Sequence, residues 1–294
     1  MYEYTWYQWL AFFYIYCFFG WIFESTYVSL KERRPVNRGF LRLPMLPLYG
    51  TGAVMMLWVS LPVKDNLFLV YISGVIAATL LEYVTGWGME RLFKMKYWDY
   101  SNQKFNLNGY ICLSSSIAWG FLTIFLTEVI HRPIERCVMG LPLAVNMTCI
   151  AVISILFMAD TIESVKEALD LAKVLDAMTD MRAELDDLQV QIALLKAKAK
   201  QKAEESREEA ALRLSLAKAE FKAEFEAHKA ARLESIESLS SRLDEMKERR
   251  AKLTRHMSFY RKGILKGNPS LSSARFSEAL KELKELAEEH SRRA

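Results

Sequence analysis

Between Trp6 and Leu30 the chain carries one charged side chain, Glu24, in an otherwise apolar and aromatic stretch of 25 residues. The hydrocarbon core of a bilayer is roughly 30 Å thick and takes about 20 apolar residues as helix, and backbone there must satisfy its own hydrogen bonds. Such a stretch predicts a membrane-crossing helix. Four further apolar runs follow, over about 46–61, 67–89, 110–130 and 141–158. The second is short, contains glycine and ends at Pro62. "VKDN" (63–66) and "HRPIER" (131–136) read as turns.

The mean hydropathy of +0.03 hides two unlike halves. Of 39 Lys/Arg and 35 Asp/Glu, only 12 and 9 lie before residue 159. The fold class expected is all-α: a five-span transmembrane bundle over 1–160, then a long cytoplasmic coiled-coil helix over 161–262. A Gly/Pro-broken tail with a short amphipathic helix occupies 263–294. The net charge of +4 gives no case for nucleic acid. Cys17, Cys112, Cys137 and Cys149 form no Cys-x-x-Cys pair and read as small buried hydrophobes. The N-terminus lacks the basic segment and cleavage site of a removable signal.

Short-loop basic residues set orientation. Five fall in 31–42 and four in 91–104, against Lys64, Arg132 and Arg136 on the other side. The expectation is a multi-pass cell-membrane protein of a bacterium, N-terminus outside and C-terminus cytoplasmic.

Residues 143–262 contain neither Gly nor Pro, and helix formers dominate. Leu171, Val174, Met178, Met181, Leu185, Leu188, Ile192 and Leu195 alternate three and four apart, a heptad seam. Phe221, Phe225, Leu233, Ile236, Leu239, Leu243 and Met246 make a second, less regular one. A continuous helix over 163–255 would reach roughly 140 Å at 1.5 Å per residue. The seam pairs with another copy, or the polar middle bends and the two seams close together; a homo-oligomer is the reading taken. Ser272 or Ser273 is placed to cap a last helix carrying Phe276, Leu280, Leu283 and Leu286.

Charged groups inside a membrane cost about 2.5–3.5 kcal/mol at its centre on insertion scales, so they mark candidate sites. Glu24 lies about 27 Å along the first span and Glu82 about 22 Å along the third, both toward the basic side. Glu90, Asp99, Asn108 and Tyr49 fall at the same level. The connector "NRGFLRLPMLPLYG" (37–50) mixes charge with apolar residues, and it is expected to dip back over this level. Arg38 then pairs with Glu24 or Glu82, and Gly39, Gly50 and Gly52 allow close approach. Glu24, Arg38, Tyr49, Glu82, Glu90, Asp99 and Asn108 are the candidate substrate- or ion-binding residues; in the alternative they hold the loops in place. Trp98 and Tyr100 are expected to anchor the 97–106 loop at the interface. His131, His228, His256 and His290 avoid this level, so neither a metal site nor a nucleophile–base pair is expected, and no cofactor.

"GWIFE" (20–24), "NRGF" (37–40), "LYGTG" (48–52), "LEYVTGWGMERLF" (81–93) and "WDYSNQKFNLNGYICL" (98–113) occur in this order, followed by "WG" (119–120). Together they resemble the CmpB-like family labelled "putative ABC-transporter type IV", over about residues 6–160. The resemblance implies a permease-like membrane subunit served by a separate ATPase; this sequence has no G-x-x-x-x-G-K-[ST] loop of its own. It carries over no catalytic residues. Two other functions fit the residues: a membrane-anchored coiled-coil scaffold or sensor, and a membrane enzyme acting on a lipid-linked substrate.

Overall fold

The computed structural model describes residues 4–212, 218–255 and 258–292. The described residues are helical, with no strand. They divide into two units, one of residues 1–173 with 257–294, the other of residues 174–256.

In the first unit, α1 (Trp6–Glu32) packs on α2 (Pro47–Ser60), α2 on α3 (Leu67–Phe93), and α3 on α4 (Leu113–Phe125). The Thr5 N–H at the head of α1 donates to Gln8 Oε1 at 2.8 Å. Asn66 caps α3 through its side chain, accepting from the Phe68 and Leu69 N–H groups. α1 and α3 each end on a basic residue, Arg33 and Lys94, in the left-handed conformation. The core joins Phe12, Tyr14 and Tyr16 of α1 with Met56 and Leu57 of α2 and with Leu126 and Val138.

The expected turn at "HRPIER" is absent. α4 runs through a π turn (Leu126–Ile130) into α5 (His131–Gly140), and the chain bends only at Leu141–Pro142. Pro133 has no N–H to give a helix. The wider π ring just before it, where the His131 N–H reaches Leu126 O, shifts the register so that the helix passes through. α6 then extends from Leu143 to Leu212 without a break. α7 spans Lys218–Arg255; residues 213–217, on which one continuous helix or a bend turns, lie outside the described residues.

Three stretches are long and apolar enough to cross a membrane: Leu67–Phe93, Leu113–Gly140 and the apolar start of α6. α2 with its 3₁₀ end, Pro47–Val63, is apolar but shorter. α1 is 27 residues long, and Phe18, Phe19, Ile22, Phe23 and Tyr27 lie exposed along it. Cys17 and Cys112 are buried, whereas Cys137 and Cys149 are exposed. Those two correct the expectation of four buried thiols: an apolar helix shows water-like exposure wherever it faces lipid, so composition does not separate core from lipid-facing sites.

In the second unit Leu175, Met178, Leu185 and Leu188 are buried within the single chain. Ile236, Leu239, Leu243 and Met246 are half-buried. The side chains of Phe221 and Phe225 lie outside the described residues.

The C-terminal residues belong to the first unit. α8 (Phe259–Gly267) and α9 (Ser277–Arg292) pack on each other. Ser273 Oγ accepts from the Phe276 N–H at 3.3 Å; Leu280, Leu283 and Ala287 form the buried face of α9, with Phe276 buried just before it.

Candidate functional site

The 33–46 connector retraces the last turns of α1. The Val36 N–H donates to Ser29 Oγ, the Arg38 N–H to Ser25 Oγ, Trp21 Nε1 to Asn37 Oδ1, and the Leu46 N–H to Cys17 O. Residues 29, 25, 21 and 17 are four apart and share one face of α1, so that face supplies the hydrogen bonds an irregular segment needs. Leu41 is buried, and the Phe40 ring lies 5.4 Å from Phe93 and 5.7 Å from Tyr97. Charge and apolar residues alternate because one set docks and the other pairs.

This path brings Arg38 to Glu24, with Nε 3.3 Å from Oε1 and side chains only 11 % and 21 % exposed. Tyr49, from α2, donates to the other Glu24 oxygen at 2.7 Å. Glu82 is not the partner of Arg38. It is 5 % exposed and accepts from Trp119 Nε1 at 2.9 Å, Tyr100 OH at 3.1 Å and Ser115 Oγ at 3.4 Å. All three donors are neutral, and among the described residues no cation forms an ion pair with it. Tyr100 thus reaches inward rather than anchoring its loop at the surface. Burial and then the Glu82 carboxylate push the Tyr100 hydroxyl well above the usual phenol range, which keeps it a donor.

Glu90, Asp99 and Asn108 gather elsewhere, around Lys96. Lys96 Nζ lies 3.8 Å from Glu90 Oε2 and donates to Asn108 O at 2.8 Å, while Tyr110 OH donates to Glu90 at 2.6 Å. Burial pushes Asp99 up, but the Ser101 hydroxyl and N–H, with Lys96 nearby, outweigh it and hold the carboxyl below its ordinary value. Asp99 and Asn108 are exposed, and among the described residues neither forms a hydrogen bond or ion pair with Glu24 or Glu82. The seven candidates therefore form two groups, not one.

Glu82, Tyr49, Ser115 and Trp119 line one part of a cavity of about 1840 Å³ bordered by α1, α2, α3, α4, the π turn, α5 and the start of α6. The rest of its lining is almost wholly apolar. It includes Phe18, Phe19, Phe23, Phe121 and Phe125, which are also exposed on the bundle surface. The cavity is thus a groove open to the side. It exceeds the roughly 300–1,000 Å³ of common small-molecule pockets.

The C-terminal segment closes over Arg38. Its guanidinium donates to Asn268 Oδ1 in a short contact, and to Gly267 O and Tyr97 O at 3.4 Å each. Asn268, itself buried, donates to Gly39 O at 2.9 Å. Lys96 and Ser272 exchange backbone hydrogen bonds, and Ser273 Oγ donates to Lys94 O. Arg42 lies 4.2 Å above the Phe259 ring. Gly267 sits so close to Asn37 O that a Cβ there would come within 2.5 Å of it. Asp160, 6 % exposed on α6, accepts from the Arg42 and Leu43 N–H groups at 2.9 Å each.

Asn268, Tyr100, Trp119 and Asp160 are the residues sequence reasoning missed. Asp160 left a signal, as a carboxylate just beyond an apolar run, whereas Asn268 left none. No group of three or more His, Cys, Asp or Glu placed to hold a metal occurs among the described residues. His256 and the side chains of His228 and His290 lie outside them.

Long apolar helices, irregular backbone satisfied by protein and a side-opening apolar groove define a helical membrane protein. The chain belongs to the family described as "Putative ABC-transporter type IV", which matches residues 11–165. No curated protein and no solved structure matches it.

Proposed function

We propose that this chain is the permease-like membrane component of a transport system, with a site for the headgroup of an amphiphile at the cytoplasmic end of its bundle. The observation that carries the reading is Glu82: a buried carboxylate with three neutral donors and no counter-cation, on the wall of a groove otherwise lined by apolar side chains. Arg38 pairs with Glu24, and no cation pairs with Glu82 among the described residues. A buried unpaired carboxylate is costly, and a cationic or hydrogen-bond-donating headgroup offsets that cost. The apolar body of the same ligand lies in the groove. In this reading α1 and Pro47–Val63 cross the membrane with the three longer stretches, giving five spans. The basic connectors and the C-terminal segment face the cytoplasm, where a separate ATPase docks. Pairing of two copies through the 174–256 unit supplies a complete pathway.

The test uses a lipophilic cation, rhodamine 6G, titrated into the full chain in lipid nanodiscs and followed by anisotropy. Saturable binding at least tenfold weaker in Glu82→Gln, about 1.4 kcal/mol, is the expected result. Equal affinity in the two proteins, or no saturable binding by the unaltered chain, overturns the reading.

A further inference from the structure

At the other end of the bundle His131 is buried, 2 % exposed, and both of its ring nitrogens are engaged. Tyr4 OH lies 3.0 Å from Nε2 and Tyr16 OH 2.9 Å from Nδ1. Tyr4 also donates to Glu135 Oε1 at 2.6 Å. That bond uses the one hydroxyl proton of Tyr4, so its oxygen accepts from His131 Nε2–H. Nδ1 is then bare and accepts from Tyr16. The four groups form a directed chain, Tyr16 to His131 to Tyr4 to Glu135.

The two ends of this chain open into different spaces. Tyr16 lines the side-opening groove. Tyr4, His131 and Glu135 line a separate polar pocket of about 210 Å³, with Lys64 from the α2–α3 turn and Glu128, Arg132 and Arg136 from the π turn and α5. Glu128 and Arg132 pair at 2.7 Å. The Phe12 ring packs edge-on 4.9 Å from the imidazole and shields it. None of these residues hydrogen-bonds to Glu82, although Tyr16 and Glu82 line the same groove.

We propose that Tyr16, His131, Tyr4 and Glu135 are a proton relay between the groove and the polar pocket. In one passage Tyr4 gives its O–H proton to Glu135, His131 gives its Nε2 proton to Tyr4, and Tyr16 gives its own to Nδ1. A hydronium ion or protonated amine in the groove restores the proton on Tyr16, and Glu135 releases one to water. One proton enters, one leaves, and His131 passes from the Nε2–H to the Nδ1–H form. Reversal of the same steps carries a proton the other way. The relay does not rest on the Glu82 reading, and failure of dye binding leaves it standing.

The test is the exchange of the His131 ring N–H with D₂O, followed by ¹⁵N NMR on the full chain in liposomes, the signal being assigned by its loss in His131→Gln. A relay makes a buried N–H exchange quickly, and Tyr4→Phe slows it at least tenfold by removing the conduit. Phe at this position keeps the edge contacts of the ring with Trp9 and Phe12. Glu135→Gln slows exchange too, since an amide takes up no proton, and it carries the test should Tyr4→Phe not fold. A hydrogen bond that only holds the ring in place gives the opposite sign: its removal loosens the site and speeds exchange. Unchanged or faster exchange in the variants, or an unaltered chain whose N–H survives overnight in D₂O, overturns the relay.

Discussion

Arg38→Gln will destabilise the membrane unit by about 3 kcal/mol, the scale seen when one partner of a buried ion pair is removed. The guanidinium is the meeting point of three segments: Glu24 of α1, Tyr97 of the α3–α4 loop, and Gly267–Asn268 of the C-terminal segment. A glutamine cannot span these directions and leaves Glu24 without a cation. Arg38→Lys should fall between, since an ammonium keeps the charge but not the fork. Glu24→Gln should cost less than Arg38→Gln, because the amide still accepts from Tyr49 and the guanidinium keeps its carbonyl partners. Two measurements check this in detergent: the unfolding midpoint, and the rate of tryptic cleavage at Arg261, Lys262 and Lys266. Faster cleavage with a lowered midpoint is expected. A change within about 0.5 kcal/mol, the level of an ordinary surface substitution, together with an equally protected C-terminal segment, would remove Arg38 as the link.

The parts of this site legible in the sequence were those with a periodic or depth signal. Glu24 and Glu82 stood out as charges in apolar runs, and Arg38 stood out because a connector that charged and that apolar has to dock. The identity of its partner was open between two carboxylates, and only the path of the connector along one face of α1 decides for Glu24. Asn268 had no such signal. It sits 230 residues from Arg38, and a single polar side chain after a broken helix looks like any loop residue. The amphipathic pattern of 276–286 revealed a buried face without saying what would cover it. Tyr100 read as an interfacial aromatic, since an amphipathic ring suits both a headgroup layer and an inward hydrogen bond. Pro133 read as a turn because a π ring ahead of it is not a sequence pattern. Of the heptad seam, Leu171, Met178, Leu185 and Leu188 are buried, while buried Leu175 lies off its spacing and Val174, on it, is only half-buried; periodicity alone does not say whether the cover comes from the same chain.

Gly50→Ala will cost about 2–3 kcal/mol, the upper part of the range for an overpacked core, while Gly52→Ala two residues along will be neutral or stabilising by up to about 1 kcal/mol. A Cβ at Gly50 would run into Cys17 Sγ and come within 2.6 Å of Phe13 O, which is backbone and cannot rotate aside. At Gly52 the nearest atom is a Leu81 methyl at 3.8 Å, an ordinary contact. Helices in a membrane gain from close approach of backbones, and small residues permit it. Gly50 is such a point for α1 and α2, and Gly20 of α1 is another, lying under Tyr49. The consequence reaches the site. To accept the methyl, α2 moves away from α1, and Tyr49 moves with it, so its 2.7 Å bond to Glu24 lengthens. Gly50→Ala should therefore lower the unfolding midpoint and weaken rhodamine 6G binding together, whereas Gly52→Ala should change neither. A Gly50→Ala protein as stable as the unaltered chain would mean that α1 and α2 do not cross this closely, and the placement of Tyr49 on Glu24 would fall with it.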